Sequence, residues 1–307
     1  MTWPVDRIQR LVERTKAMLG STLAPFADPS GFGLGGTGFR GDDGAPVPGS
    51  NLIAATDAIL PSMVERDTEW AGWCSVLVNL NELSAMGATP VALLDAFGAR
   101  DQSFATRIVN GIAAASRAWQ VPVIGGHTQL GVPAALSVTA LGRSSAPVPA
   151  GGGKPGHVVS VTADCGRGWR HGYTGSQWDS TNARTTADLQ AMGSLVAQSA
   201  PAAAKDVSMA GLVGTLGMLA EASGCGATLD VAAVPRPEGA LVGDWLTCFP
   251  GFAMITTDRP GSTPAPAGPA LNRSCGELNT MPGVQLRWPD GRQTPALSSH
   301  VTGLGTA

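Results

Sequence analysis

Val78-Asn79-Leu80-Asn81-Glu82-Leu83-Ser84-Ala85-Met86-Gly87-Ala88-Thr89-Pro90 is the stretch that decides how this chain folds. Upstream, Trp70, Trp73, Val76 and Leu77 extend its apolar content back to a start signal at Asp67-Thr68, and Gly87 supplies the stop. The helix so defined is apolar nearly all round, which is the pattern of a buried helix. Asn79 and Glu82 stand three apart and therefore share one face of it. A buried asparagine is commonly satisfied by a structural hydrogen bond to a nearby loop. A glutamate is seldom buried without a cation or metal to meet it. The pair marks a candidate site inside the fold.

Outward from this helix, strand and helix patterns alternate. Residues 51–57 read as a short strand ending at Asp57, 91–97 as another, and 103–119 as a helix with Phe104, Ile108 and Ile112 spaced at four. Residues 121–124 read as a short buried strand running into the turn Gly125-Gly126-His127-Thr128, and 136–141 as a half-exposed strand. A further helix is expected from Asp6, ahead of a glycine- and proline-rich stretch over 20–49. The Pro/Gly segment 147–156 divides the chain into two α/β (α+β) domains, 1–150 and 151–307. In the second, a strand at 157–162 leads into an irregular polar loop over 164–185. Ser208 caps a helix running to Glu221, strands follow at 226–234 and 252–257 around a helix at 238–245, and 260–269 is a loop. The last forty or so residues are weakly patterned, and the sequence leaves their order open.

Composition excludes several classes of function. A chain of 307 residues with 43% hydrophobic content can bury an ample core. A formal charge of −3 and a pI near 5.8 leave no basic footprint for nucleic acid. No apolar run reaches membrane-spanning length, and the N-terminal residues do not read as a secretion signal, so the expected location is cytoplasmic. The 5 cysteines form no CxxC pair and His127, His157, His171 and His300 lack zinc-ligand spacing.

The acidic residues carry the chemistry. The words that hold Asp42 and Asp43, Asp57, Glu82 and Asp206 lie far apart, yet each contains glycine, serine, threonine or asparagine and interrupts or borders an apolar segment. The cations available to meet them are few, since Lys16, Lys154 and Lys205 are the only lysines. Asp42, Asp43 and Asp57, taken singly, are also ordinary turn residues. Magnesium held between these carboxylates and a polyphosphate would resolve the charge problem. Gly33-Leu34-Gly35-Gly36-Thr37-Gly38 matches GxGxxG in letters, but no strand precedes it and no helix follows, so it is not the dinucleotide fingerprint. Two readings of it stand: an ordinary flexible loop, or a loop whose N–H groups wrap phosphates. Gly153-Lys154 lacks the spacing and hydroxyl residue of a P-loop.

Taken in order, Gly41-Asp42-Asp43, Thr56-Asp57, the word from Val78 to Pro90, Gly125-Gly126-His127-Thr128 and Lys205-Asp206-Val207-Ser208-Met209-Ala210-Gly211-Leu212 resemble a known superfamily. It comprises aminoimidazole ribonucleotide (AIR) synthetase, thiamine-monophosphate kinase, selenophosphate synthetase and the hydrogenase-maturation carbamoyl dehydratase. The chain is most similar to its AIR-synthase-related members, through Trp178-Asp179, Gly226-Ala227-Thr228-Leu229-Asp230 and Trp245 with Phe249-Pro250 as well. The resemblance implies an N-terminal domain whose strands pair across a homodimer into a β-barrel, and a ferredoxin-like C-terminal α/β domain. It implies ATP in a cleft near that interface, covered by the glycine loop at Gly35 and Gly36, with magnesium joining its phosphates to carboxylates. Asp43, Asp57, Glu82 and Asp206 match metal-binding places; Asn79, Gly126 and Thr128 match phosphate- or metal-facing ones. Beside them Asp42 belongs to the Gly41-Asp42-Asp43 word, Lys205 and Arg40 could add charge on phosphate, and His127 could act as general acid or base, with Glu82 beside the reacting phosphate. The activity implied is an ATP- and Mg-dependent phosphotransferase or synthetase acting on a small metabolite. Thiamine-monophosphate kinase, and a non-catalytic nucleotide-binding partner in a biosynthetic assembly, are the alternatives. Two departures bear on this. Glu82 stands where relatives usually have Asp, and His127 where thiamine-monophosphate kinase has Asp.

Overall fold

The structure, a computed structural model, describes residues 38–307. The helix expected from Asp6 and the loop glycines Gly35 and Gly36 lie outside the described residues. In the first half the order is β1 (Ala45–Pro46), β2 (Leu52–Ala58), α1 (Pro61–Arg66), α2 (Thr68–Ala85), β3 (Thr89–Ala99), α3 (Gln102–Trp119), β4 (Val123–Leu130) and β5 (Ala135–Arg143). These strands form one sheet in the order β1-β2-β5-β3-β4. β5 pairs antiparallel with β2 and β3, whereas β3 and β4 run parallel. A parallel pair needs a crossover, and α3 is that crossover.

Helix α2 is buried along almost its whole length, as its sequence predicts. It ends where Gly87 turns the chain at φ +63°, and Ala88 N–H closes back on Leu83 O at 2.9 Å. It lies hard against α3: a Cβ on Gly111 would come within 2.0 Å of Glu69 O, and Trp73 and Trp119 pack with ring centroids 5.3 Å apart. Asp67 does not cap α2 with its side chain. Arg170 holds that carboxylate instead, Nε to Oδ2 at 2.9 Å, which joins the start of α2 to the 164–185 loop. Asp101 does cap α3, accepting from Phe104 N at 2.7 Å.

The second half contains β6 (Val158–Ala163), a short hairpin of β7 (Gly168–Trp169) with β8 (Trp178–Asp179), α4 (Thr186–Gly193), α5 (Leu195–Ser199), β9 (Ala203–Asp206), α6 (Gly211–Ala222) and β10 (Gly226–Asp230). It continues with α7 (Val242–Thr247), β11 (Ala253–Asp258), β12 (Leu271–Asn279), β13 (Gly283–Arg287) and β14 (Gln293–Leu297). Seven of these strands form a sheet in the order β14-β13-β10-β12-β6-β11-β9. One apolar core spans both halves: Leu77, Leu80 and Leu83 of α2 belong to the same cluster as Leu189, Met192, Leu195, Phe252 and Met254. The halves are therefore held to each other by hydrophobic burial, the dominant favourable term in folding.

Several expectations need correction. The segment at 121–124 is not a short buried strand: β4 runs eight residues, every one exposed, and Gly126, His127 and Thr128 are extended within it rather than forming a turn. It is the edge of a sheet, where one flank has no partner strand among the described residues. The tail beyond residue 270, which the sequence leaves open, is ordered; β12 lies between β10 and β6, inside the sheet. Its alternation is broken by a register shift between Ser274 and Gly276, which hides the strand period. Ser208 does not cap α6, whose N-cap position is Ala210 and whose first residue, Gly211, has φ +66°. The helix placed at 238–245 is α7, several residues later, and α4, α5 and β9 had no sequence signal assigned. Among the described residues the first sheet is open and no closed barrel is seen. No helix among the described residues is long and apolar enough to cross a membrane.

Candidate functional site

Four elements bring carboxylates together. The Gly41-Asp42-Asp43 turn precedes β1, Asp57 lies one residue from the end of β2, Glu82 projects from the last turn of α2, and Asp206 ends β9. Asp43 lies against β9 in two ways: its Oδ2 accepts from Asp206 N at 2.9 Å and its Oδ1 pairs with Lys205 Nζ. The two side chains of that ion pair are only 7% and 8% exposed. Asp42 Oδ2 accepts from Ala150 N at 3.0 Å. Asp57 Oδ1 accepts from its neighbour Ala58 N at 2.7 Å. Sequence segments more than 160 residues apart therefore meet at one place.

Buried polar atoms are nearly always hydrogen-bonded. Here Asp42 Oδ1, Asn79 Oδ1, Glu82 Oε2 and Asp206 Oδ2 are buried with no hydrogen-bond partner. Asn79, fully buried, donates its Nδ2 to Ser75 O at 2.8 Å. Half of that side chain is thus structural, and its oxygen is left over.

The electrostatics agree with this geometry. Burial, then the charges of Asp206, Asp57 and Asp43, push the Glu82 carboxyl well above the ordinary glutamate range against the opposing pull of Lys205. Burial and Asp43 do the same to Asp206. Asp57 is raised by burial, and Asp42 is raised by burial to about 6. Burial alone would lower Lys205, but Asp43, with Asp42 and Asp206 behind it, holds that ammonium above its usual range. Among the described residues the group sets Asp42, Asp43, Asp57, Glu82 and Asp206 against one buried cation, Lys205. Like charges so placed either bind protons or take up another cation.

The donor set fits a hard divalent ion in kind, being all oxygen and largely carboxylate. Orphaned oxygens on Glu82, Asp206, Asn79 and Asp42 are the atoms such an ion would take. Among the described residues, however, no three His, Cys, Asp or Glu side chains close around one metal-sized point. Asp43 is turned to Lys205 instead of to Glu82, so ion binding requires that pair to loosen or the side chains to swing inward.

Not every residue singled out in the sequence reaches this cluster. Gly126, His127 and Thr128 lie opposite Asp95, Ala96 and Phe97 on β3, at the far edge of the first sheet. Asp57 is opposite Val138, and Val138 opposite Asp95, so Gly126 stands three strand spacings, roughly 14 Å, from Asp57. His127 is exposed. Arg40, also exposed, lines a small cavity with Gly41 and Lys205 on the Asp43 side. Asp95 went unnoticed in the sequence. It shares the row of Asp57 and burial raises its carboxyl; a lone Asp inside Leu93-Leu94-Asp95-Ala96-Phe97 was the available signal. A larger cavity of about 300 Å³, lined by Leu80, Asn81, Ser84, Trp119 and Gln120, sits elsewhere around α2 and has no charged lining. It is separate from the carboxylate cluster.

Comparison with known proteins agrees with this architecture. Residues 41–144 match the family model of the AIR synthase related protein N-terminal domain, and residues 156–257 that of its C-terminal domain. An uncharacterized protein of Synechocystis sp. is 36% identical over 228 residues, covering 72% of this chain and 70% of that protein. A thiamine-monophosphate kinase of Synechococcus elongatus is 34% identical over 113 residues, which is 34% of this chain and 35% of the kinase. The solved structure of AaThiL complexed with AMPPCP and TMP superposes with a TM-score of 0.65 at 20% identity, covering 94% of this chain and 96% of that one. That likeness shows the shared two-domain α/β fold. With both of its domains matched in order, and with acidic words from each half meeting at one buried cluster, the chain belongs to the AIR synthase related protein family.

Proposed function

We propose that this protein is an ATP- and magnesium-dependent phosphotransferase or synthetase acting on a small metabolite. The observation that carries the reading is the buried carboxylate group with one lysine and four orphaned oxygens, assembled from both halves of the chain. Phosphoryl transfer asks a protein for positioning and charge neutralisation more than for covalent chemistry. Asp43, Asp57, Glu82 and Asp206 would hold the magnesium, which supplies a clamp and counter-charge for the phosphates when bound. Asn79 Oδ1 and Asp42 would orient ligands of that assembly. Lys205, released from Asp43 as the ion is bound, and Arg40 would place positive charge on phosphate oxygens. Gly35, Gly36, Gly126 and Thr128 would face the triphosphate. The similar structure complexed with AMPPCP, an ATP analogue, supports the nucleotide.

A homodimer completes this reading. β4 is an exposed edge strand carrying Ile124 at 62% and Leu130 at 51% exposure, and a second copy closing the open sheet into a barrel would cover both it and His127. Such closure gives His127 a sheltered place from which to handle a proton. Phosphorylation of thiamine monophosphate is the second reading, favoured by the 34% identical kinase.

Calorimetric titration tests the proposal. ATP should bind only with magnesium present, and Asp57→Asn or Asp206→Asn should abolish that binding while circular dichroism shows the fold intact. ATP binding that ignores magnesium, or unchanged affinity in both variants, overturns the assignment. Turnover of thiamine monophosphate would establish the second reading.

A further inference from the structure

Glu221 is the one acidic residue of the apolar, glycine-rich helix α6, and it is 3% exposed. A buried carboxylate of this kind needs partners, and this one has an unusual number. It accepts from Val301 N at 2.7 Å, Thr302 N at 2.8 Å, Thr302 Oγ1 at 3.0 Å, Gly303 N at 2.7 Å and Gly305 N at 3.3 Å. Gly303 and Gly305 both have φ +76°, which lets successive N–H groups turn toward one anion. Burial would raise the Glu221 carboxyl, but these donors outweigh it and hold the group below its ordinary range.

The wrapped segment does not end on Glu221. Leu304, at its crest, lies against Gly41: a Cβ on Gly41 would come within 2.6 Å of Leu304 Cδ1, and Gly41 itself has φ +69°. Thr302, Leu304 and Gly305 share with Arg40, Gly41 and Lys205 the walls of a small cavity. A second tie runs from the end of the same helix. Ser223 Oγ donates to Ala150 O at 3.2 Å and accepts from Gly153 N at 3.1 Å, and Ala150 N donates to Asp42 at 3.0 Å. The C-terminal end of α6 thus grips two segments, 150–153 and 301–305, that both bear on the Gly41-Asp42-Asp43 turn.

We propose that Glu221 is a positioning residue: it fastens residues 301–305 as a clasp against Gly41 and so fixes the turn that presents Asp42 and Asp43 to Lys205 and Asp206. The inference rests on the carboxylate cluster being the magnesium–phosphate site, and it assigns that site a support some distance along the chain. Burial of an anion in backbone N–H groups is rigid, because no side-chain rotamer is free to relax, whereas Leu304 on Gly41 is an apolar contact that transmits the restraint.

Hydrogen–deuterium exchange on the full chain without nucleotide, followed by Mg-ATP titration, tests this. Glu221→Gln and Leu304→Ala should each speed exchange at residues 41–43 at least tenfold and weaken Mg-ATP binding at least tenfold. Leu286→Val, a core change in β13, should do neither. Leu304→Ala leaves the Glu221 bonds in place, so it remains informative if Glu221→Gln misfolds. Unchanged exchange at 41–43 in Leu304→Ala, or faster exchange with unchanged Mg-ATP affinity, overturns the clasp. Failure of the unaltered protein to bind Mg-ATP sinks the proposed function instead, while the exchange result still decides whether the clasp orders the turn.

Discussion

Asp42→Asn is the most revealing single change, because its effect on stability must depend on pH with a definite sign. The Asp42 carboxyl is raised by burial from the ordinary aspartate value near 3.8 to about 6, in spite of the Ala150 N–H and Lys205. A raised carboxyl binds its proton more tightly folded than unfolded. The native state therefore loses stability as pH rises from about 4 to about 6, and the loss is complete above that. At about 1.36 kcal/mol for each pH unit of displacement, the cost at neutral pH is about 3 kcal/mol. Asparagine keeps the oxygen that accepts from Ala150 and cannot ionise. The variant should match the parent near pH 4 and exceed it by about 3 kcal/mol at pH 7.5, as the displacement of Asp42 requires. Urea denaturation at half-unit pH intervals reads the difference directly. Glu82 and Asp206 titrate in both proteins and largely cancel. Saturating magnesium should narrow the gap at pH 7.5 by stabilising the charged parent. A difference that is flat across this range would refute the claim that Asp42 is buried beside other carboxylates.

Lys205→Met leaves Asp43 buried without its cation, and breaking one half of such a pair costs about 3–5 kcal/mol; thermal melts at pH 7 should show the deficit. Gly111→Ala drives a methyl into Glu69 O, which a Cβ would approach to 2.0 Å, and should cost upwards of about 2 kcal/mol by forcing α3 off α2. Ile124→Asp, on exposed β4, should convert the proposed dimer to a monomer by light scattering with little change in the far-ultraviolet spectrum. A parent protein that is already monomeric would contradict the proposed barrel.

The helix at the heart of this fold was legible because apolar residues from Trp70 to Met86 cover nearly all of its faces and Gly87 closes it, which is the pattern of a buried helix. Strand β5 was legible because its alternation survives, every second residue being buried, and β2 and β3 were legible as short apolar segments. The tail was not. β12 carries a register shift, β14 contains Pro295, and β13 is five residues long, so none shows enough period to declare itself locally. β9 was hidden in Ala203-Ala204-Lys205-Asp206, where a charged pair sits in a strand buried at every position.

The sequence alone pointed to the acidic candidates: carboxylates interrupting apolar segments announce a charge that the core must accommodate, because burial of a carboxylate is costly wherever it occurs. Their partners were decided only by the tertiary structure. Lys205 faces Asp43, His127 stands at an exposed sheet edge far from Asp57, and Glu221 is wrapped by residues 301–305. Such pairings join positions many tens of residues apart, and no local period or composition encodes which distant segment a side chain will meet. That choice belongs to the packing of the two sheets around α2.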